Sequence, residues 1–223
     1  MRRKKHIDER LEKCSDMLLI YESGVRDYSR PDPDVKQLDL KQLFPNGGKI
    51  ELEVGCGKGG FITELARRNP DVNYIAVEKC DNVIVLACEK AREMGLKNIF
   101  FISTYAEYLL RLLPENSIDN IYLNFSCPFP KSGQAVHRLT HSRFLDIYAK
   151  LLKNGGEICQ KTDSMKLFEF SLEQFSSCGW LIKNVSLDLH NSRFNENNIE
   201  TEYEHKFSEQ GFPIYRLEAA PRG

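Results

Sequence analysis

The stretch "KIELEVGCGKGGFITELARRN" (Lys49–Asn69) decides the fold. It begins with a short apolar run, continues through a glycine-rich turn and ends in a segment whose apolar residues recur at helical spacing. A strand, a tight loop and a helix in this order make up the first part of a βαβ unit. The same alternation continues through "NYIAVE", "NVIVLACEKAREMG" and "NIFFIS" in residues 73–103. The sequence therefore predicts an α/β protein built on a parallel sheet.

The second half of the chain extends this pattern. Three further apolar runs, in residues 117–125, 156–162 and 180–189, bring the number of predicted strands to six. The helix after the first of these runs is expected to end at the glycine pair Gly155–Gly156. A seventh strand, "FPIYRLEA", follows so short a connection that we expect it to run antiparallel to its neighbour. The predicted sheet has seven strands, mostly parallel with one antiparallel.

Composition and charge describe one folded domain with an extension before it. The 223 residues are 41% hydrophobic and carry a net charge of −1, which fits a single core and excludes a bulk polycation. Residues 1–45 open with a basic cluster and include "SRPDPDVKQ", so we predict a basic arm over 1–45 and a folded domain over 46–223. The sequence shows neither a secretory signal nor a membrane span. Its seven cysteines form no CxxC pair, and no metal is expected.

Two acids beside the glycine loop indicate its ligand. Gly55 and Gly57 allow the backbone to approach a nucleotide-like molecule at the carboxyl end of the sheet. Glu53 lies where it suits the ammonium of an amino-acid ligand, and Glu78 ends the second strand, where a carboxylate accepts both ribose hydroxyls. An amine and a ribose without a phosphate partner describe S-adenosylmethionine better than a dinucleotide. The alternatives are a plain strand-to-helix turn for the loop and solvated strand ends for the two acids.

Several motifs, in this order, resemble one family. The segments "IELEVGCGKGGF", "IYLNFSCPFPK", "QKTD" and "TEYEHKFSEQGFPIYR", between about Lys49 and Arg216, are similar to the bacterial tRNA (guanine-N7)-methyltransferases. The resemblance implies a Rossmann-like, seven-stranded class I methyltransferase with helices on both faces and with S-adenosylmethionine as its cofactor. It also implies that tRNA is the partner and that guanosine 46 in the variable loop is methylated at N7.

The resemblance assigns two segments to the substrate. Asp163, which follows the fifth strand, is our first choice for guanine recognition, since a carboxylate accepts from the two N–H groups on the Watson–Crick edge of guanine. Its alternative role is the N-cap of the next helix. Thr201, Glu202, Tyr203 and Glu204 match the second substrate segment. Their alternative is a capping box formed by Thr201 and Glu204.

Three departures from the family pattern lie in the predicted site. Cys127 stands where the resemblance places a catalytic aspartate beside the cofactor; a thiolate role for it is an alternative. Tyr105, followed by Ala106, stands where an aspartate contacts the adenosyl group, and its ring is expected to stack on adenine. Lys131 matches a substrate lysine, with a solvated turn lysine as its alternative, but the basic tract after it is reduced to "SGQAVHR". Fewer phosphate contacts are therefore expected.

The leading prediction is a tRNA (guanine-N7)-methyltransferase that acts in the cytoplasm as a monomer or a homodimer. The departures leave two alternatives: a non-catalytic module that binds S-adenosylmethionine or tRNA, and a methyltransferase for a different acceptor. A dehydrogenase is disfavoured, because nothing resembles a hydride-transfer site and Glu53 would have no role in one.

Overall fold

A computed structural model describes residues 5–25 and 32–222, with the backbone alone at Glu202. Eight strands cross it: β1 (Leu18–Ile20), β2 (Ile50–Val54), β3 (Asn73–Glu78), β4 (Ile99–Ser103), β5 (Ile118–Asn124), β6 (Leu152–Thr162), β7 (Leu181–Ser186) and β8 (Tyr215–Ala220). They form one sheet in the order β1-β4-β3-β2-β5-β6-β8-β7. The basic residues predicted at positions 2–4 lie outside the described residues.

Helices cover both faces of this sheet: α1 (Ile7–Glu12), α2 (Leu40–Leu43), α3 (Gly60–Arg68), α4 (Asp81–Glu93), α5 (Leu109–Leu112), α6 (Ser142–Leu151), α7 (Met165–Ser177) and α8 (Glu202–Ser208). Two buried clusters correspond to the two faces. One cluster contains Leu109 and Phe144 from α5 and α6, and the other contains Ile62 and Ile84 from α3 and α4. This arrangement confirms the predicted α/β fold. Within the described ranges, no helix has the length and apolar character needed to cross a membrane.

The strand order reverses at β2, in the middle of the sheet. Leu52 of β2 pairs in parallel with Ile75 of β3 on one side and with Ile121 of β5 on the other. The helices that follow neighbouring strands therefore leave in opposite directions, and a crevice opens outside the carboxyl ends of these strands. The glycine loop, which follows β2, lies at this crevice.

The antiparallel strand is confirmed, but the predicted strand number was one too low. β8 runs antiparallel to both β6 and β7 and lies between them. The additional strand is β1, in the N-terminal arm, which pairs in parallel with β4 through Leu18 and Phe101. Three residues are too few to produce a detectable alternation, so pairing with β4, not local sequence, defines this strand.

The predicted helix end at Gly155–Gly156 was wrong. α6 ends at Leu151 and β6 begins at the next residue, so both glycines lie inside a strand. A Cβ atom at Gly156 would lie 2.7 Å from the carbonyl oxygen of Asp119. Glycine is therefore needed there because β6 approaches β5 closely, and not because a helix stops.

Candidate active site

One cleft of about 960 Å³ opens at the carboxyl ends of β2, β3, β4 and β5. Most of the predicted site residues line it. They are Glu53, Gly55, Gly57, Glu78, Tyr105, Ala106, Cys127, Thr201 and Tyr203. Lys131, Asp163 and Glu204 are not part of its wall. A volume of this size is typical of a pocket for a small molecule.

The glycine loop forms one wall of the cleft. The φ angles of Gly55 and Gly57 are 85° and 57°, a region that residues with a Cβ atom rarely adopt. A Cβ atom at Gly57 would meet no atom within 4 Å, so the backbone is open on this side. The peptide groups of the loop can therefore be approached closely by a ligand.

Glu53 is the most unusual group in the cleft. Its side chain is 2% exposed, which excludes the alternative of a solvated strand end. Oε1 accepts a hydrogen bond of 2.9 Å from Nδ2 of Asn124, whereas Oε2 has no hydrogen-bond partner among the residues described. Burial raises the pKa of Glu53 to about 7, although the Asn124 hydrogen bond and the Lys161 charge oppose this rise. An incoming cationic donor would satisfy Oε2, so the site fits the ammonium of S-adenosylmethionine.

Asn124, which we did not predict as a site residue, orients Glu53. It ends β5 and is itself buried. The clue in the sequence was its position at the end of a strand, next to the loop with Cys127. Thr104 lies at the end of β4, in the same cleft, and its buried hydroxyl also lacks a partner within the described part of the chain. Asn124 and Thr104 therefore add polar groups to the cleft that contains Glu53.

An acidic and an aromatic side chain, Glu78 and Tyr105, also line the cleft. Oε1 of Glu78 accepts a hydrogen bond from the backbone N–H of Cys80, so the other carboxylate oxygen can accept from a ligand. Tyr105 is half exposed, and Nζ of Lys79 lies 5.7 Å from its ring centroid. The neighbouring Ala106 is buried. A ring beside a carboxylate matches the expected binding of adenine and ribose.

Cys127 lies in the loop after β5 and is exposed to the cleft. Its flanking residues Phe125 and Phe129 both have positive φ angles, of 49° and 42°. Another carboxylate that we did not predict, Glu107, lines the same cleft, but it is paired with Arg143 at 2.5 Å. Glu107 therefore adds a carboxylate to the cleft, but its charge is already balanced by Arg143.

The segment that begins α8 contributes to the cleft wall. Thr201 and Tyr203 line it, and Tyr203 is 64% exposed. The side chain of Glu202 lies outside what the structure describes. The capping box is confirmed: the Thr201 hydroxyl accepts from the N–H of Glu204, and the Glu204 carboxylate accepts from the N–H of Thr201.

Glu204 is fully buried and forms an ion pair with Lys161, so its carboxylate faces the protein and not the cleft. Nζ of Lys161 lies 2.6 Å from Oε2 of Glu204 and also donates to Oδ1 of Asn198 and the carbonyl oxygen of Ile199. Burial works against the ionisation of Glu204, but Lys161 and its other partners lower its pKa. Lys161, which sequence reasoning missed, thus connects β6 to the segment Asn198–Glu204. The signal was a lysine within the buried run "GEICQKT".

Asp163 and Lys131 lie outside the cleft wall. Asp163 is half-buried and follows directly after β6. It is not the N-cap of α7, as the alternative proposed, since Ser164 occupies that position and accepts from the N–H of Leu167. Lys131 is exposed and precedes a short 3₁₀ helix over Ser132–His137. Their roles in binding a substrate stay predictions.

One cluster with the composition of a metal site lies elsewhere in the described residues. It consists of Glu157 and Cys159 of β6 and Glu218 of β8. Lys183 pairs with Glu157, and Arg216 pairs with Glu218. The carboxylate charge of the cluster is therefore already balanced by protein cations.

The chain is similar to known methyltransferases. A family model described as "Putative methyltransferase" matches residues 48–217. A tRNA (guanine-N(7)-)-methyltransferase of Clostridioides difficile is 44% identical over 221 residues, which is 99% of this chain and 98% of that protein. One of Listeria welshimeri with the same name is 48% identical over 179 residues, or 80% of this chain and 83% of the relative.

Solved structures support the fold. A 16S rRNA methyltransferase, KamB, superposes with a TM-score of 0.64 over 84% of this chain and 95% of its own, at 15% identity. A structure titled "Structure of an Antibiotic Related Methyltransferase" gives a TM-score of 0.62 over 84% of this chain and 97% of its own, at 16% identity. At these identities, the likeness concerns the architecture alone.

Proposed function

Because the chain belongs to the tRNA (guanine-N7)-methyltransferase family, we propose that it transfers a methyl group from S-adenosylmethionine to N7 of guanosine 46 in the variable loop of tRNA. The family membership rests on the match over residues 48–217 and on relatives at 44–48% identity. The position of the guanosine and the roles of individual residues are proposals.

The observation that carries this function is the buried, half-satisfied carboxylate of Glu53 at the carboxyl end of β2. A buried carboxylate oxygen without a partner is costly, and a ligand with an ammonium group removes that cost. Glu78 accepts from the ribose hydroxyls, and the Tyr105 ring stacks on adenine beside Ala106. Gly55 and Gly57 keep the backbone of the loop close to the ligand.

Methylation at N7 requires little acid–base chemistry. Bound S-adenosylmethionine supplies an electrophilic methyl group, and N7 of guanine already has a free lone pair. The protein therefore contributes positioning and electrostatic stabilisation of the positive charge that develops on the guanine. We assign this stabilisation to Asp163, which accepts from the Watson–Crick edge, and not to Cys127, which occupies the position of the family's aspartate.

The remaining substrate contacts are assigned to residues 201–203 and to Lys131. Thr201 and Tyr203, with Glu202, contact the nucleotide, and Lys131 contacts a phosphate. Glu204 acts indirectly, because its carboxylate is buried against Lys161 and caps α8. It positions Thr201 and Tyr203 instead of touching the substrate.

The wider organisation is proposed on the same basis. Residues 1–45 act as a basic N-terminal arm, and residues 46–223 are the methyltransferase domain; the match over 48–217 supports this division. We propose that the enzyme acts in the cytoplasm, as a monomer or a homodimer. The comparisons do not favour a non-catalytic binding module, a different acceptor or a dehydrogenase.

The proposed reaction is tested with purified protein, unmodified tRNA transcript and methyl-labelled S-adenosylmethionine. Nuclease digestion and mass spectrometry should detect labelled 7-methylguanosine. A parallel reaction with Cys127→Asp measures what the family's carboxylate would add. If the protein binds S-adenosylmethionine but neither protein forms labelled 7-methylguanosine, the proposed acceptor is wrong.

A further inference from the structure

The loop that carries Cys127 has a strained backbone on both sides of the cysteine. β5 ends at Asn124, and Phe125 and Phe129 then adopt φ angles of 49° and 42°. Bulky residues rarely adopt this left-handed conformation, which persists only where surrounding contacts enforce it. The beginning of the loop is held by a 2.9 Å hydrogen bond from the N–H of Phe125 to the carbonyl oxygen of Lys161.

Arg138 holds the other end of the loop. Its Nε donates to the carbonyl oxygen of Pro128 at 3.0 Å, and its Nη2 donates to the carbonyl oxygen of Phe129 at 2.9 Å. The guanidinium carbon lies 4.4 Å from the ring centroid of Phe170 in α7. One planar group thus joins two successive carbonyls of the loop to a helix of the core.

We propose that Arg138 is a positioning residue that holds the strained loop Phe125–Phe129, and with it Cys127, against the cleft. This inference rests on the proposed function, because the cleft is where the methyl group is transferred. Arg138 belongs to the reduced basic tract "SGQAVHR", so a phosphate contact is the alternative role for it. The geometry assigns its guanidinium to the loop and to Phe170 instead.

Substitution by lysine separates these two roles. A lysine keeps the positive charge, so a phosphate contact would be largely retained. Its ammonium group has no planar pair of N–H donors for the carbonyl oxygens of Pro128 and Phe129, and no flat surface to stack on Phe170. These contacts, which we call the Arg138 clamp, would therefore be lost. Phe170→Leu removes only the stacking surface and should act in the same direction with a smaller effect.

Cys127 provides a local measurement that requires neither tRNA nor turnover. In a Cys178→Ser background, Cys127 is the one exposed cysteine among the residues described. Arg138→Lys should raise the reaction rate of Cys127 with Ellman's reagent by roughly fivefold or more, because the released loop no longer holds the exposed thiol against the cleft, where the walls restrict the approach of the reagent. Lys131→Arg, which keeps the positive charge in the same exposed region, is the matched control and should leave this rate unchanged.

Kinetics give the second readout. Arg138→Lys should lower kcat by roughly 10- to 100-fold, because Phe125, Pro128 and Phe129, which also line the cleft, would be displaced by about 1 Å together with Cys127. The dependence of tRNA affinity on salt should stay the same, whereas Lys131→Met should reduce its slope by about one.

The opposite result would overturn the proposal. If Arg138→Lys matches the parent in thiol rate and kcat, while Arg138→Gln reduces the salt slope by about one, Arg138 is a phosphate contact. If the reaction rate of Cys127 with Ellman's reagent is unchanged in both Arg138 variants, this result alone excludes the clamp, whether or not the protein methylates tRNA. A raised thiol rate without methylation would support the clamp and count against the proposed function.

Discussion

The buried ion pair between Lys161 and Glu204 yields the sharpest prediction on stability. Both side chains are less than 10% exposed, and Nζ of Lys161 also donates to Asn198 and Ile199. Replacing Lys161 with methionine leaves the Glu204 carboxylate buried without its main counter-charge. Loss of one partner of such a pair costs about 3–5 kcal/mol of unfolding free energy. For a domain of this size, that corresponds to a fall in Tm of roughly 6–20 °C.

A double-mutant cycle isolates the interaction. Lys161→Met combined with Glu204→Gln removes the uncompensated charge and retains an amide that can complete the capping box. We expect the double variant to lose about 1–2 kcal/mol, and therefore to be more stable than Lys161→Met alone. Lys153→Met is the matched control on the same strand, because its pair with Asp119 is partly exposed (39% and 21%) and should cost less than about 1 kcal/mol.

Urea denaturation followed by circular dichroism measures these differences as shifts in the midpoint at constant slope. A cost for Lys161→Met below about 1 kcal/mol would refute the reasoning, because the charge left on Glu204 would then be hydrated and not buried. A double variant less stable than Lys161→Met would refute it equally, since the two residues would contribute independently.

Three predictions concern the cleft. Glu53→Gln should weaken S-adenosylmethionine binding by roughly 10- to 100-fold in calorimetry, since a hydrogen bond between charged groups is lost; an unchanged affinity would exclude Glu53 as the ammonium site. Because the pKa of Glu53 is raised to about 7, S-adenosylmethionine affinity should rise roughly tenfold from pH 6 to pH 8 as the carboxylate ionises. The free energy of unfolding of the ligand-free protein should fall as pH rises from about 4.3 to above 7, because the unfolded chain loses the Glu53 proton at a lower pH than the folded protein. Glu53→Gln should abolish both trends, and a flat pH profile in the parent would contradict the assignment. Cys127→Ser should keep kcat within about threefold, whereas Cys127→Asp should raise kcat by roughly tenfold because a carboxylate stabilises the cationic guanine. Single-turnover rates measure both effects, and a large loss of rate in Cys127→Ser would indicate a thiolate role.

The sequence predicted the architecture well because its signals are local. The strand–glycine–helix unit at residues 49–69 and the alternation after it depend only on neighbouring residues. β1 could not be predicted in this way, because its three residues become a strand only by pairing with β4. Gly156 was misinterpreted for the same reason: the close approach of β6 to β5 is a tertiary contact that no local pattern reports.

In the candidate site, too, the residues that could be predicted were those with a local signal in the sequence. Glu53 and Glu78 could be placed because strand ends and glycine loops have a known relation to bound nucleotides. The capping box of Thr201 and Glu204 was also recognisable from spacing. The residues missed were those whose role depends on long-range partners. Asn124 contacts Glu53 from the neighbouring strand, Lys161 pairs with Glu204, and Arg138 binds the carbonyl groups of Pro128 and Phe129.

The measurement that tests the central claim most directly is position-resolved methylation of tRNA. A transcript with guanosine at position 46 and a matched transcript with adenosine there are incubated with S-adenosylmethionine and the protein. Borohydride reduction and aniline treatment then cleave each RNA at 7-methylguanosine. We expect one cleavage, at position 46, in the guanosine transcript alone, and roughly 10- to 100-fold less of it after incubation with Glu53→Gln at limiting S-adenosylmethionine. Cleavage elsewhere, or equal cleavage of both transcripts, would contradict this expectation.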